Sequence, residues 1–337
     1  MDTIVADSVA LRRPCAVRSR LRFGVLGQVR YTIGVATALI AAAAFAATFA
    51  DFGTFENAAN VLSLFGPLAV LSVGQMIVVL VRGFDLSVGA VFALATVITA
   101  EAMNTVGLVG LAAAPLVGIV FGLLNGVLVS YFRVQPVIAT LGSLLLARGA
   151  ALLAAPNGQA VILGGDAQMV LLNLQLANIA GVPVTAIFTL IVFLGVAFVL
   201  YATAFGRRLF MVGGDPRSAA LVGVRVHAVT VAAYTLCGFC AGLTAILILM
   251  RTGMGLPTEG VGMEVQSLAG AVIGGSQLSG GYANPFGVFF AALFIQTTQS
   301  GLNFSGISPY AAEMVMGCSI LLAGLLDRVS QRIFRTA

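Results

Sequence analysis

Ten apolar runs, separated by breaks rich in charge, glycine or proline, govern what this chain of 337 residues can fold into. They cover residues 31–50, 58–81, 86–103, 106–130, 134–155, 184–204, 228–250, 265–275, 285–301 and 310–326. Crossing the hydrocarbon core of a bilayer, roughly 30 Å thick, takes about 20 apolar residues in a helix. Most of the runs meet that length; the eighth is short enough to be a partial or re-entrant helix. A soluble surface is excluded, because only 9% of the residues are charged where soluble domains carry roughly 25%. The reading is an all-α integral membrane protein of about ten transmembrane helices, spanning residues 31–326 between tails at 1–30 and 327–337. Its first 30 residues are too long and arginine-rich for a simple signal peptide. The longest interruption, 156–183, is an outer loop, and no soluble domain has room to fold.

Arginine fixes the expected orientation, since basic residues near helix ends stay cytoplasmic. With the N-terminus inside, fifteen of the seventeen arginines fall in the cytoplasm, the exceptions being Arg251 and Arg148, which lies within the fifth run. An even number of crossings then places both termini inside.

All seventeen basic residues are arginine. Without lysine there is neither a GxxxxGK[ST] phosphate loop nor a lysine Schiff base, so any nucleotide energy comes from another chain. The single histidine, His227, cannot build a multi-histidine metal site. Cys237 and Cys240 spell CxxC inside an apolar run, where small residues on a buried helix face outweigh a redox pair, because a reactive thiolate wants an electropositive setting. No catalytic, cofactor or metal residues are assigned. A buried serine protease would need Ser and His face to face, which the boundary position of His227 disfavours.

Three segments are more than apolar. The break at 205–227 carries Arg207, Arg208, Gly213, Gly214, Asp215, Pro216, Arg217 and Gly223. Asp215 followed by Pro216 is a helix start, a side-chain acceptor and then a proline whose missing N–H does no harm; Gly223 is a stop. A short surface helix over 217–226 is therefore expected, either an ordinary positive loop or a docking element for a soluble partner. Asp85 and Ser87 stand at the start of the third run and read as a helix cap. Arg148, costing roughly 2.5–3.5 kcal/mol at the centre of a span, either snorkels or pairs structurally, or else lines a pathway. Further candidates for a translocation path are Gln75, Asn125, Thr140, Glu264, Gln296, Asn303 and Glu313, although interhelical hydrogen bonding is the commoner role for amides and threonines. Gly118, Gly122 and Gly126 recur every four residues and suit close helix packing. GFDLSVGAVFAL and NPFGVFFAAL echo one another, as repeats in transporters do. A proton-coupled secondary transporter remains open on these features.

Five segments in order carry a resemblance over most of the chain after about residue 55. They are GFDLSVGAVFALA from Gly83, GLLNGVLVSYFRVQPVIATLGSLLLARG from Gly122, GRRLFMVGGDPRSAALVGV from Gly206, GLPTEGVGMEVQSLAGAVIGGSQLSGGYANPFG from Gly255 and GLNFSGISPYAAEMVMG from Gly301. Together they resemble the membrane permease subunit of bacterial ABC sugar importers, the ribose, xylose and arabinose permease family. The resemblance implies a permease in the inner membrane, working as one of two copies with cytoplasmic ATPase subunits that hold ATP and Mg, and with an extracytoplasmic solute-binding protein. No nucleic acid is implied. It makes the 205–227 segment the coupling helix seated on the ATPase, and turns 156–183 and 251–262 toward the binding protein. The expected solute is a monosaccharide, with a nucleoside or signalling furanosyl compound as the alternative. The chain departs from the family pattern at Ala283, flanked by Tyr282 and Asn284, where a glycine is expected. It departs again at Ser300 and Glu313, where Asn and Gln are common.

Overall fold

A computed structural model describes residues 47–306 and, outside that stretch, Ile40, Ala44, Phe45, Ser308, Ala311, Met314, Gly317 and Cys318. Most of the first and last apolar runs, and Glu313, lie outside the described residues.

The described chain is mostly helical. Helices α1 (Phe55–Leu80), α2 (Val88–Val106), α3 (Ala113–Ser130) and α4 (Pro136–Ala154) come first. After them stand α5 (Gly165–Leu176) and α6 (Val184–Ala202), then the short α7 (Ala204–Gly214) and α8 (Pro216–Leu221). The long α9 (Val226–Thr252), α10 (Met263–Ile273) and α11 (Pro285–Phe304) complete the set. Among the described residues, five stretches are long and apolar enough to cross a membrane: Phe55–Leu80, Val88–Ser130, Pro136–Ala154, Val184–Ala202 and Val226–Thr252. The second holds two helices, because the 3-10 turn Gly107–Ala112 folds α3 back along α2, with Gly110 against the backbone of Ala102 and Met103.

Helices α1 and α9 form the axis. In the most apolar window of α1, 83% of residues are buried, against 22% in α6. The outer helices turn Leu116, Val120, Leu145, Leu153, Ile191 and Phe198 outward, a surface that lipid rather than water solvates. The glycine stripe of α3 is a packing face: Gly118 abuts the carbonyl of Gly238, and Gly122 and Gly126 sit against the backbone of Tyr234 and Val231. No Cβ fits at the Gly118–Gly238 crossing, so the two backbones approach as only small residues permit. Cys237 and Cys240 are buried on α9. His227 joins α3 to α9 at one end, its Nδ1 3.0 Å from Ser130 Oγ and its ring stacked on Tyr131.

Two elements differ from the sequence-based expectation. The 156–183 loop contains α5, the antiparallel ladder of β2 (Asn178–Ile179) with β3 (Val182–Pro183), and β1 (Val161–Ile162), which pairs antiparallel with β4 (Met254–Gly255) from after α9. The 205–227 segment is two helices, not one. Thr203 accepts from the Gly206 N–H and starts α7 upstream of the Asp215–Pro216 signal, and the helix expected over 217–226 ends at Leu221. Gly223 follows with φ 83°, a left-handed stop that suits glycine.

Candidate functional site

The bundle has two interrupted helices that enter it from opposite ends. The stretch ahead of α2 is irregular, and Gln75 Nε2 donates to the carbonyl of Asp85 at 2.8 Å. Since Gln75 lies five residues before the end of α1, Asp85 sits about 7 Å inside the bundle at the standard helical rise. The second stretch enters from the other end. Residues 254–255 pair with β1, the Leu256 N–H donates to Thr96 Oγ1, and Gly260 packs on Phe92 and on the carbonyl of Gly89. Thr96 to Gly89 is about 10 Å of descent along α2. At its foot α10 starts; with 11 residues it spans about 16 Å, half a bilayer core. The Glu264 carboxylate lies against Gly89, its Oε1 accepting from the Gly262 N–H.

Asp85 is wholly interior. Its Oδ1 accepts from the N–H and the hydroxyl of Ser87, and Asn125 Nδ2 lies 3.3 Å from both carboxylate oxygens. Ser143 donates to Asn125 Oδ1, and Cys237 donates to Gln75 Oε1 at 3.7 Å. Gln75, Asp85, Ser87 and Asn125 thus form one network tying α1, α2, α3, α4 and α9. Every polar group in it has a partner, as low-dielectric burial demands. Thr140 donates to the carbonyl of Pro136 in its own helix and is not part of this network.

Arg148 reaches across from α4 to the stretch ahead of α10. Its Nη1 donates to the carbonyls of Pro257 and Glu259 at 2.7 and 2.8 Å, pinning the re-entrant stretch, with Glu259 and Glu264 within electrostatic reach.

A cleft of about 460 Å³ opens beside that stretch. Pro67, Leu68 and Met263 supply apolar wall; Gln266, Gln296, Gln299 and Asn303 supply amides; Arg251 and Glu259 supply charge. The last two form an ion pair at 3.2 Å. Gln296 and Asn303 are among the residues singled out from sequence, whereas Gln266, Gln299 and Glu259 were missed. Their signal was available for one: Gln296, Gln299 and Asn303 recur at i, i+3 and i+7, a single helix face.

At the opposite end, Arg82 holds the 205–227 segment to the axis. The residue adopts φ 66°. Its Nε donates to the carbonyl of Gly213 at 2.7 Å, and its Nη2 to that of Gly214. Gly280 packs on the Arg82 side chain and the Gly281 N–H donates to the carbonyl of Leu80 at 3.0 Å. Asp215 caps α8, accepting from the N–H groups of Arg217 and Ser218 and from the Ser218 hydroxyl. That hydroxyl, the two N–H bonds and the nearby Arg82 charge together hold its carboxyl below the ordinary range. Arg207, Arg208 and Arg217 are exposed, as are Leu221 and Val222 at the tip.

Broken helices, a polar cleft at one end and a short helical pair anchored at the other define a multi-pass membrane transport protein. Residues 57–324 match the family described as "Branched-chain amino acid transport system / permease component", and the chain belongs to it. It is similar to the ribose import permease protein of Escherichia coli (strain K12), 34% identical over 83% of this chain and 88% of that one. The D-allose transport system permease protein of the same strain is 32% identical over 85% and 94%, and its L-arabinose transport system permease protein 30% over 98% and 99%. No solved structure matches the chain.

Proposed function

We propose that this chain is the membrane-spanning subunit of an ABC importer in the bacterial inner membrane and that it carries a monosaccharide. ATP is bound and hydrolysed by a separate ATPase seated on α7 and α8, and solute arrives from an extracytoplasmic binding protein at the β1–β4 end. The chain works as one of two copies, crosses about ten times and keeps both termini in the cytoplasm. The family and the three sugar-permease relatives support the class and solute. The observation that carries the mechanism is the knot of Arg82, Gly213–Gly214 and Gly280–Gly281. It joins an exposed helical pair directly to the end of the most buried helix, so a displacement of α7 is felt by α1 and by the α10–α11 connection together. A transport subunit needs such a rigid linkage, because an ATPase can shift its equilibrium only through contacts that differ between two states. Arginines at 82, 133, 207, 208, 217 and 225 gather at this end of the bundle and Arg251 at the other, which supports placing α7 and α8 in the cytoplasm.

The test is uptake of labelled D-ribose, D-allose and L-arabinose by cells that lack their own permeases and express this chain with an ATPase and a binding protein. Uptake that needs ATP and the binding protein, and survives dissipation of the proton gradient, is the expected result. Uptake by the chain alone that collapses with the proton gradient assigns it instead to the secondary transporters.

A further inference from the structure

We propose that the cleft beside the re-entrant stretch is where solute rests within the permease, and that it selects an uncharged polyhydroxylated ligand over an amino acid or a sugar acid. The proposal rests on the permease reading above and adds to it a site and a charge rule. Among the described residues, the side-chain amides of Gln266, Gln296, Gln299 and Asn303 have no hydrogen-bond partner inside the protein, yet all four line the cleft. Each offers a carbonyl acceptor and two N–H donors. A polyol presents hydroxyls that both donate and accept, so amides can replace the water it leaves behind. The formal charges on the wall are Arg251 and Glu259, which neutralise each other at 3.2 Å. A carboxylate ligand would meet Glu259 as well as Arg251, and an ammonium the reverse, so either must break the pair before it gains a partner. The space, about 460 Å³, lies within the usual size of small-molecule clefts, roughly 300–1,000 Å³. Leu68 of the apolar wall stands twelve residues from the end of α1, about 18 Å from the α7 end, so the cleft opens to the side where the binding protein delivers solute.

Two sets of variants test this in cells expressing the chain with its ATPase and binding protein. Gln296→Leu and Gln299→Leu each remove hydrogen-bonding groups from the cleft and lower D-ribose uptake about tenfold, the worth of roughly 1.4 kcal/mol, while ATP hydrolysis stimulated by the liganded binding protein persists. The second set reads charge. Glu259→Gln leaves Arg251 unpaired, so D-ribonate becomes about tenfold more effective as a competitor of D-ribose uptake. The double variant Arg251→Gln/Glu259→Gln returns that competition to the wild-type level; a merely structural ion pair would instead depress all uptake with no gain for the acid. Uptake within twofold of wild type in both glutamine variants overturns the resting site. Unchanged D-ribonate competition in Glu259→Gln, or wild-type uptake of L-leucine equal to that of D-ribose, overturns the charge rule. A wild-type chain with no ATP-driven uptake of any of these probes overturns the permease reading and the proposal with it, and is distinguishable from either result by the wild-type control.

Discussion

Replacing Arg82 by alanine should uncouple ATP hydrolysis from transport without dismantling the bundle. The side chain gives two hydrogen bonds from a charged donor to the carbonyls that end α7, one partly buried at 2.7 Å and one exposed. Such bonds contribute about 1.5–3 kcal/mol each, and the exposed one belongs at or below the low end. The pair is therefore worth about 3 kcal/mol, or roughly a hundredfold in the population of the anchored arrangement. Alanine keeps the same left-handed backbone problem at φ 66°, so the comparison isolates the side chain. The assay is solute moved per ATP hydrolysed in proteoliposomes containing the full complex. We expect that ratio to fall at least tenfold, with basal hydrolysis intact, and Arg82→Lys to recover only part of it, because a single ammonium does not reproduce the guanidinium fork. A folded Arg82→Ala complex with an unchanged ratio would show that force passes from α7 to α1 by another route.

Three further outcomes follow from the packing. Gly118→Leu should prevent stable assembly of α3 on α9, seen as loss of a monodisperse species in detergent, whereas Gly149→Ala, whose Cβ meets open space, should leave thermal stability unchanged or raise it by up to about 1 kcal/mol. Arg148→Leu should insert as well as wild type or better, since arginine at a span centre costs roughly 2.5–3.5 kcal/mol. Hydrogen exchange at Gly260 should nevertheless accelerate tenfold or more as the carbonyls of Pro257 and Glu259 lose their donor. The Asp215 cap has a depressed carboxyl, so its support for α8 is fully present above the ordinary carboxylate range and disappears as pH falls through the lower folded value. Exchange at the Ser218 amide should stay slow at neutral pH and quicken only below the usual aspartate titration, and Asp215→Ala should make it fast throughout.

Hydropathy alone located most of the helices. The run at 58–81 became Phe55–Leu80 and that at 184–204 became Val184–Ala202, because a span must be apolar for its whole length and the signal is long. Caps with a local mechanism were equally legible: Asp215–Pro216 does start a helix, and Gly223 does stop one. Depth was not legible. Asp85 follows Arg82 by three residues in sequence and reads as a boundary residue, yet the backbone climbs into the bundle between them, drawn by Gln75 and by the Tyr234 hydroxyl, which donates to the carbonyl of Phe84 at 3.3 Å. Those partners lie 10 and 150 residues away, and no local pattern reports them.

Amides were singled out because polar groups inside a span demand partners, but demand has two resolutions, and sequence does not distinguish them. Gln75 and Asn125 are satisfied by Asp85 and its neighbours, and therefore hold helices together. Gln296 stands at the same kind of position yet faces a cleft with no protein partner among the described residues, and so is left with hydrogen bonds for water or solute. What separates the two is the re-entrant stretch 253–262. Entering from one end and stopping at Gly89, it leaves α10 only half a span long, and space remains above the α10 start where a complete helix would have packed. The interruption that takes a half-buried arginine, Arg148, to restrain it is thus the same interruption that opens room for a ligand. Filling that room with protein, for instance by Gln299→Trp, should stabilise the bundle while abolishing uptake, the opposite pairing of effects from that expected of any residue in the Asp85 network.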